Sequence, residues 1–276
     1  MNGVEKMTAT VYTVGNFKGG VGKTKLVTML AYDNAVLRNH KTLIIDMDPQ
    51  ANASQIMAKT ANIEDVNKTI TNGVAAGSLK EYITNIEPNL DLLACDTHFR
   101  SFTPYVFTLE DEQEQVRVID KLIEPLKEEY HSIFIDVPPT ISEFSDNAMA
   151  ASDYSIIACQ TQEESLDGVA KYVGYQNFMI EKFNIDLQVI AIVPCMVEPD
   201  DQLDQTILAE AREEYGDAVL DTVITYQKRL KRYSREGIHL DTYKNGNYDQ
   251  WDFRAHNSFN DVLNEIEGRR AYLEGK

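Results

Sequence analysis

Six short apolar runs punctuate the chain: TVYTVGNF (10–17), TLIIDMD (42–48), LDLLAC (90–95), SIFIDV (132–137), YSIIAC (154–159) and LQVIAIV (187–193). Their apolar residues follow one another without the alternation of a half-solvated strand, so they read as strands covered on both faces. Stretches with helical spacing lie between them. In 24–38 the positions Leu26, Met29, Leu30, Val36 and Leu37 fall near one helical face, and 112–129, 163–182 and 202–215 read as further helices. Residues 255–274 read as a closing helix, whereas 59–89 is polar and irregular and takes no assignment. Strand alternating with helix predicts an α/β fold: a mainly parallel twisted sheet flanked by helices on both faces. No repeat, low-complexity tract or linker divides the 276 residues, so one domain spanning 1–276 is expected.

In such a sheet, ligands gather beyond the C-terminal ends of the strands. The first strand runs into Gly15-Asn16-Phe17-Lys18-Gly19-Gly20-Val21-Gly22-Lys23-Thr24-Lys25. Gly19, Gly20 and Gly22 let the backbone curl with its N–H groups toward phosphate oxygens, and the following helix adds its positive end. Lys23 then reaches the β and γ phosphates, and the Thr24 hydroxyl ligates Mg²⁺. The loop breaks the ordinary pattern twice: Phe17 stands where glycine is usual, and Lys18 adds a second lysine. Asp46 and Asp48 close the second run, two apart and so on one side of a strand. Such a pair either faces solvent or approaches a metal–phosphate centre, and the neighbouring glycine loop favours the second reading. Asp136 ends another apolar run, as expected of an acid holding Mg²⁺ through a water. Pro138 and Pro139 stiffen the turn beyond it.

Composition adds exclusions and one exception. A hydrophobic fraction of 43% and a charged fraction of 25% suit a soluble globular protein. No apolar stretch is long enough to span a membrane, and MNGVEKMTAT lacks a signal-peptide core, so the cytoplasm is expected. Cys95, Cys159 and Cys195 form no CxxC pair, which argues against a disulfide framework, a zinc site or an iron–sulfur site. The net charge of −18 argues against nucleic acid as a partner. Against that average, YQKRLKRYSR (226–235) holds Lys228, Arg229, Lys231, Arg232 and Arg235 and no acid. The block reads either as a solvated helix face or as a nucleic-acid contact.

Lys18-Gly-Gly-Val-Gly-Lys23-Thr24, Asp46-Met-Asp48-Pro-Gln and Ile135-Asp136-Val-Pro-Pro139 together resemble the deviant Walker P-loop ATPases, and within these the plasmid-partition ParA family. ASDYSIIACQTQEESLDG (151–168) resembles that family's next strand and helix start, and the likeness runs from about residue 10 to 240. The early first strand is similar to the short partition ATPases without an N-terminal helix-turn-helix domain. The resemblance implies a P-loop NTPase fold and an ATPase that uses ATP and Mg²⁺. It assigns Lys18, Gly19, Gly20, Val21, Gly22, Lys23, Thr24 and Lys25 to the nucleotide, with Lys18 crossing a dimer interface to the partner's ATP. It makes Asp48 the acid that positions or activates the attacking water, Asp46 a supporting acid near the metal, and Thr24 and Asp136 the metal-binding pair. Pro194 and Met196 are its adenine candidates. The basic block falls where the family carries DNA-binding arginines, Arg229 being the nearest match. The implied function is plasmid or chromosome segregation. ATP drives a homodimer that binds DNA non-specifically, and a centromere-binding ParB-type adaptor stimulates slow hydrolysis in the bacterial cytoplasm, at the nucleoid. Two departures stand out: Lys25 replaces a common second threonine, and Gln162 stands where many relatives carry Glu.

Rival readings share the fold. A membrane-associated division-site regulator would need a basic amphipathic C-terminal helix. Residues 255–276 instead set Arg269, Arg270 and Lys276 against Asp261, Glu265, Glu267 and Glu274. An ATP-dependent metabolic ligase would need a small-molecule pocket with its own polar residues, for which no marker exists. A tyrosine kinase would need a clustered tail, but Tyr226, Tyr233, Tyr243, Tyr248 and Tyr272 are scattered.

Overall fold

The apolar runs become neighbouring strands of one sheet. Its strands are β1 (Thr10–Gly15), β2 (Thr42–Asp46), β3 (Thr84–Glu87), β4 (Leu90–Leu93), β5 (Ser132–Asp136), β6 (Tyr154–Gln160), β7 (Gln188–Val197) and β8 (Ile224–Thr225). The computed structural model describes residues 8–243 and 246–275, without the side chains of Glu163 and Glu164. Met1–Met7, Lys244, Asn245 and Lys276 lie outside the described residues, and with them most of MNGVEKMTAT and the last base of the tail. The strand order is β3-β4-β2-β5-β1-β6-β7-β8. Every pairing is parallel except that of β3 with β4.

The helices are α1 (Lys23–Tyr32), α2 (Asn52–Thr60), α3 (Ile70–Ala76), α4 (Phe102–Val106), α5 (Glu112–Val116), α6 (Val118–Ile123), α7 (Glu143–Ala151), α8 (Glu163–Phe183), α9 (Gln202–Tyr215), α10 (Lys228–Glu236) and α11 (Gln250–Leu273). Successive strand residues feed opposite cores. Tyr12, Ile44, Phe134 and Ile156 pack with side chains of α1, α10 and α11. Val11, Ile45 and Ile133 pack with α4, α6 and α7, and Ile157 and Cys159 with α8 and α9. Helices on both faces explain why the strands are apolar throughout. The register aligns Asp46 and Val14 with Asp136, so the ends of β1, β2 and β5 meet at one edge.

The structure departs from the periodicity in three places. The helix expected over 24–38 widens after Tyr32 into a π-turn, Asp33–Leu37, closed by Arg38 N–H donating to the Asp33 carbonyl. There the buried Asp33 carboxylate meets His256 of α11. The helix expected over 112–129 is broken at Arg117, with φ −112° and ψ 16°. Asn147 of α7 enters the break, accepting from Ile119 N–H at 3.1 Å and donating to the Gln115 carbonyl at 2.8 Å. A side chain from another element thus replaces the missing helical bonds. The unassigned 59–89 holds the end of α2, then α3 and the antiparallel edge strand β3. Among the described residues, no helix is long and apolar enough to cross a membrane.

Candidate functional site

β1 ends at a glycine because α8 lies directly beneath it. A Cβ on Gly15 would fall 2.1 Å from the Tyr172 ring. Beyond it, Gly20 (φ 81°) and Gly22 (φ 98°) occupy the left-handed region that side chains disfavour. α1 starts at Lys23 with no side-chain cap and no acid in its first turn. Its free N–H groups and positive dipole end therefore await an anion. Lys23 and Lys25 add two cations where a helix alone would prefer acids. Lys23 is buried, its Nζ 2.9 Å from the Lys18 carbonyl. Burial lowers its pKa against the opposing pull of Asp136 and Asp48, and burial alone lowers that of Lys25. A cavity of about 450 Å³ opens here, lined by Gly19, Gly20, Gly22, Lys23, Thr24 and Lys25 from the loop, and by Asp48, Gln55, Pro139 and Ser234. The Val21 side chain is buried in the core, so only its backbone is available to a ligand.

The three carboxylates play different parts. Asp48 lines the cavity, and one of its oxygens accepts from Gln50 N–H at 2.9 Å. Asp46 is fully occupied: one oxygen accepts from Asp48 N–H, and the other from both N–H and Oγ of Ser54. It does not line the cavity but fixes the backbone under Asp48. Asp136 is buried, and neither of its oxygens has a hydrogen bond of good geometry, the Thr24 hydroxyl interacting with it only weakly. Burial raises the carboxyl pKa of both Asp46 and Asp136; for Asp136 the nearby Asp46 adds to the rise, with Thr24 and Lys23 offsetting part of it. An orphaned carboxylate beside a threonine hydroxyl and another acid fits a divalent cation, whose charge would satisfy both.

α8 grips the loop from the side. Asn16 donates to the Ala158 carbonyl at 2.8 Å and accepts from Lys18 N–H at 2.8 Å. Phe17 packs edge-on against Tyr172 (5.0 Å) and Tyr175 (5.7 Å), which accounts for an aromatic where glycine is usual. The Lys18 ammonium donates to Gln162, just before α8, at 3.0 Å. Gly168 permits this approach, since a Cβ there would sit 2.5 Å from Asn16 Oδ1. Sequence reasoning passed over Gly168, although a glycine inside a helical pattern signals close packing. Neither Pro194 nor Met196 lines the cavity. Met196, at φ 58°, instead touches the loop beside Cys195, its Cε 3.8 Å from where a Cβ on Gly22 would stand.

The basic block forms α10, which leans on α2: Lys59 Nζ donates to the Ser234 carbonyl at 3.4 Å. Lys228, Lys231, Arg232 and Arg235 are exposed. Arg229 is not, its side chain keeping 10% exposure. Its Nε meets Asp252 at 2.9 Å and its Nη2 meets Asp249. Asp252 also accepts from the Tyr233 hydroxyl, and Tyr233 neighbours His256, the partner of Asp33. Arg229 therefore anchors the helix to α11 while the other four bases face outward.

Comparison with known proteins places these features in context. The profile of the AAA domain matches residues 9–189. A chromosome-partitioning ATPase, Soj, of Treponema pallidum is 26% identical over 233 residues, covering 83% of this chain and 87% of the relative. A plasmid partition protein of Borrelia burgdorferi, solved with AMPPNP, superposes with a TM-score of 0.72 at 21% identity, covering 92% of this chain and 98% of that one. A cobyrinic acid a,c-diamide synthase of Mycobacterium smegmatis, solved with an ATP analogue and magnesium, reaches 0.71 at 17% identity, covering 82% and 92%. Partition ATPase and synthase share the architecture, so function has to be argued from the site.

Proposed function

The chain belongs to the AAA-domain family as a ParA-type ATPase, and from that premise we propose that it is a DNA-partition switch in which ATP joins two copies. The observation that carries this reading is the pair of lysines on one loop. Lys23 is buried beside Asp48 and Asp136 and serves the ATP of its own subunit. Lys18 holds its ammonium against Gln162 and does not line the phosphate cavity. A long, flexible cation placed there would exchange its present contacts for a neighbour's phosphates once two subunits meet face to face.

In this reading the loop N–H groups, Lys23 and Lys25 bind the triphosphate and spread its charge. Thr24 and Asp136 would hold Mg²⁺, which would supply positive charge against that developing on the phosphates. Asp48 orients the attacking water at the cavity wall, and Asp46 holds the Asp48 backbone in place. Lys228, Lys231, Arg232 and Arg235 of two subunits meet DNA phosphates without reading bases. A centromere-binding ParB-type adaptor stimulates the slow hydrolysis that ends the cycle, at the nucleoid of a bacterial cell. One domain carries all of these functions.

Light scattering with ATP tests the switch. Wild type should double in mass, Lys18→Ala should remain monomeric, and Asp48→Ala should dimerise and stay so because turnover is lost. A Lys18→Ala protein of normal dimer mass would remove the role across the interface.

A further inference from the structure

A second cavity, of about 500 Å³, opens on the face of α10 turned toward the start of α11. Its walls combine two kinds of side chain. Tyr226 and Trp251 bring aromatic rings that are 52% and 56% exposed. Lys228, Arg232 and Arg254 bring exposed cations, with Arg229 between them. No carboxylate lines the cavity among the described residues, although the chain as a whole carries −18. The nearest acids are already engaged. Asp249 and Asp252 pair with Arg229, and Glu236 pairs with Arg232 at the surface. Gln227 also lines the cavity, and its buried Nε2 has no hydrogen-bond partner. Trp251 stands on a fixed base, since its backbone N–H donates to the capping Asp249 at 2.9 Å.

We propose that this cavity binds an unpaired nucleobase together with its flanking phosphates, so that single-stranded nucleic acid is a ligand of the protein. An aromatic ring stacks on the π-face of any base, and neighbouring cations follow the backbone. Bases inside a duplex are stacked on one another and cannot present a face to Trp251, so the geometry selects a melted or single strand. The inference rests on the reading that α10 meets DNA, and gives the cavity beside it, with Tyr226, Trp251 and Arg254, a separate role with unpaired strands only.

Trp251 is the one tryptophan of the chain, so its emission reports this cavity alone. Oligothymidylate at low salt should quench it saturably, whereas inorganic polyphosphate, a matched duplex and free thymidine monophosphate should not. Trp251→Ala should weaken oligothymidylate binding, measured by anisotropy of a labelled strand, by about tenfold, and Trp251→Phe should recover most of it. Duplex affinity should be unchanged in both. If duplex binds but oligothymidylate leaves the emission untouched, the inference falls and the DNA reading stands. Equal quenching by polyphosphate also overturns it, because charge alone then suffices. Equal quenching by the mononucleotide does so too, marking a free-nucleotide site. If neither form of DNA binds with ATP, with ADP or without nucleotide, both readings fall.

Discussion

Two clusters of buried charge in this protein are finished to different degrees. At the ends of β2 and β5, Asp136 keeps two oxygens without a well-formed hydrogen bond, and burial pushes its proton affinity up. The adjacent Lys23 is buried, with its pKa pushed down. Under α10 the reverse holds. Asp252 is equally buried but takes bonds from Arg229, Tyr233 and the Asp241 N–H. Asp249 is held well below the usual carboxylate range by the Tyr243 hydroxyl, with Arg229 contributing. A cluster with unmet bonds is costly until a ligand completes it, while a completed cluster serves as scaffold. Incompleteness is what the proposed phosphate and metal site would need, and completeness marks what holds the basic helix in place.

The comparison is broken most directly at Arg229. Arg229→Ala leaves the buried Asp252 without its cation and should cost about 3–5 kcal/mol of stability, read from chemical denaturation. Unchanged stability with a shallower salt dependence of DNA binding would instead make Arg229 a phosphate contact. At the other cluster the sign should be opposite. Asp136→Asn removes a buried charge that Thr24 and Lys23 offset only in part and should stabilise the nucleotide-free protein by about 1 kcal/mol or more at pH 8, while Mg²⁺-dependent nucleotide binding is lost. The pH profile carries the same sign. A carboxyl whose folded pKa lies above its unfolded value favours the fold below the unfolded value and loses that contribution as pH rises through the folded one. The melting temperature of the nucleotide-free wild type should therefore fall over that rise, and the Asp136→Asn profile should be flatter. A steeper profile in the variant would show that Asp136 is compensated after all. The smallest effect is expected at the loop's other side. Phe17→Gly restores the usual glycine but loses the Tyr172 and Tyr175 contacts, and should cost about 1 kcal/mol with ATP affinity, measured by calorimetry, little changed. A large loss of affinity would place Phe17 in the nucleotide site rather than behind it.

Much of the site is legible along the chain because it is built from neighbours in sequence. Residues 15–25 carry their own glycines and lysines, and Asp46, Asp48 and Asp136 end runs whose composition already marks them as buried strands. The edges of the fold are not legible in this way. β3 pairs antiparallel and β8 has two residues, so neither leaves a period long enough to read. Arg229 looks like its four basic neighbours in sequence. Only the arrival of Asp249 and Asp252, at the start of α11, separates it from them.

By itself the sequence determined the parallel sheet, the glycine loop and the identity of the acids at the strand ends, since each depends on local composition and spacing. The tertiary structure decided which charges are spent and which are free. Asn147 breaks a helix that periodicity would continue, Phe17 is explained by Tyr172 and Tyr175, and Gln162 finds Lys18 across 144 positions of chain. Pairing, burial and desolvation are properties of groups brought together from distant positions, and the chain carries no local record of them.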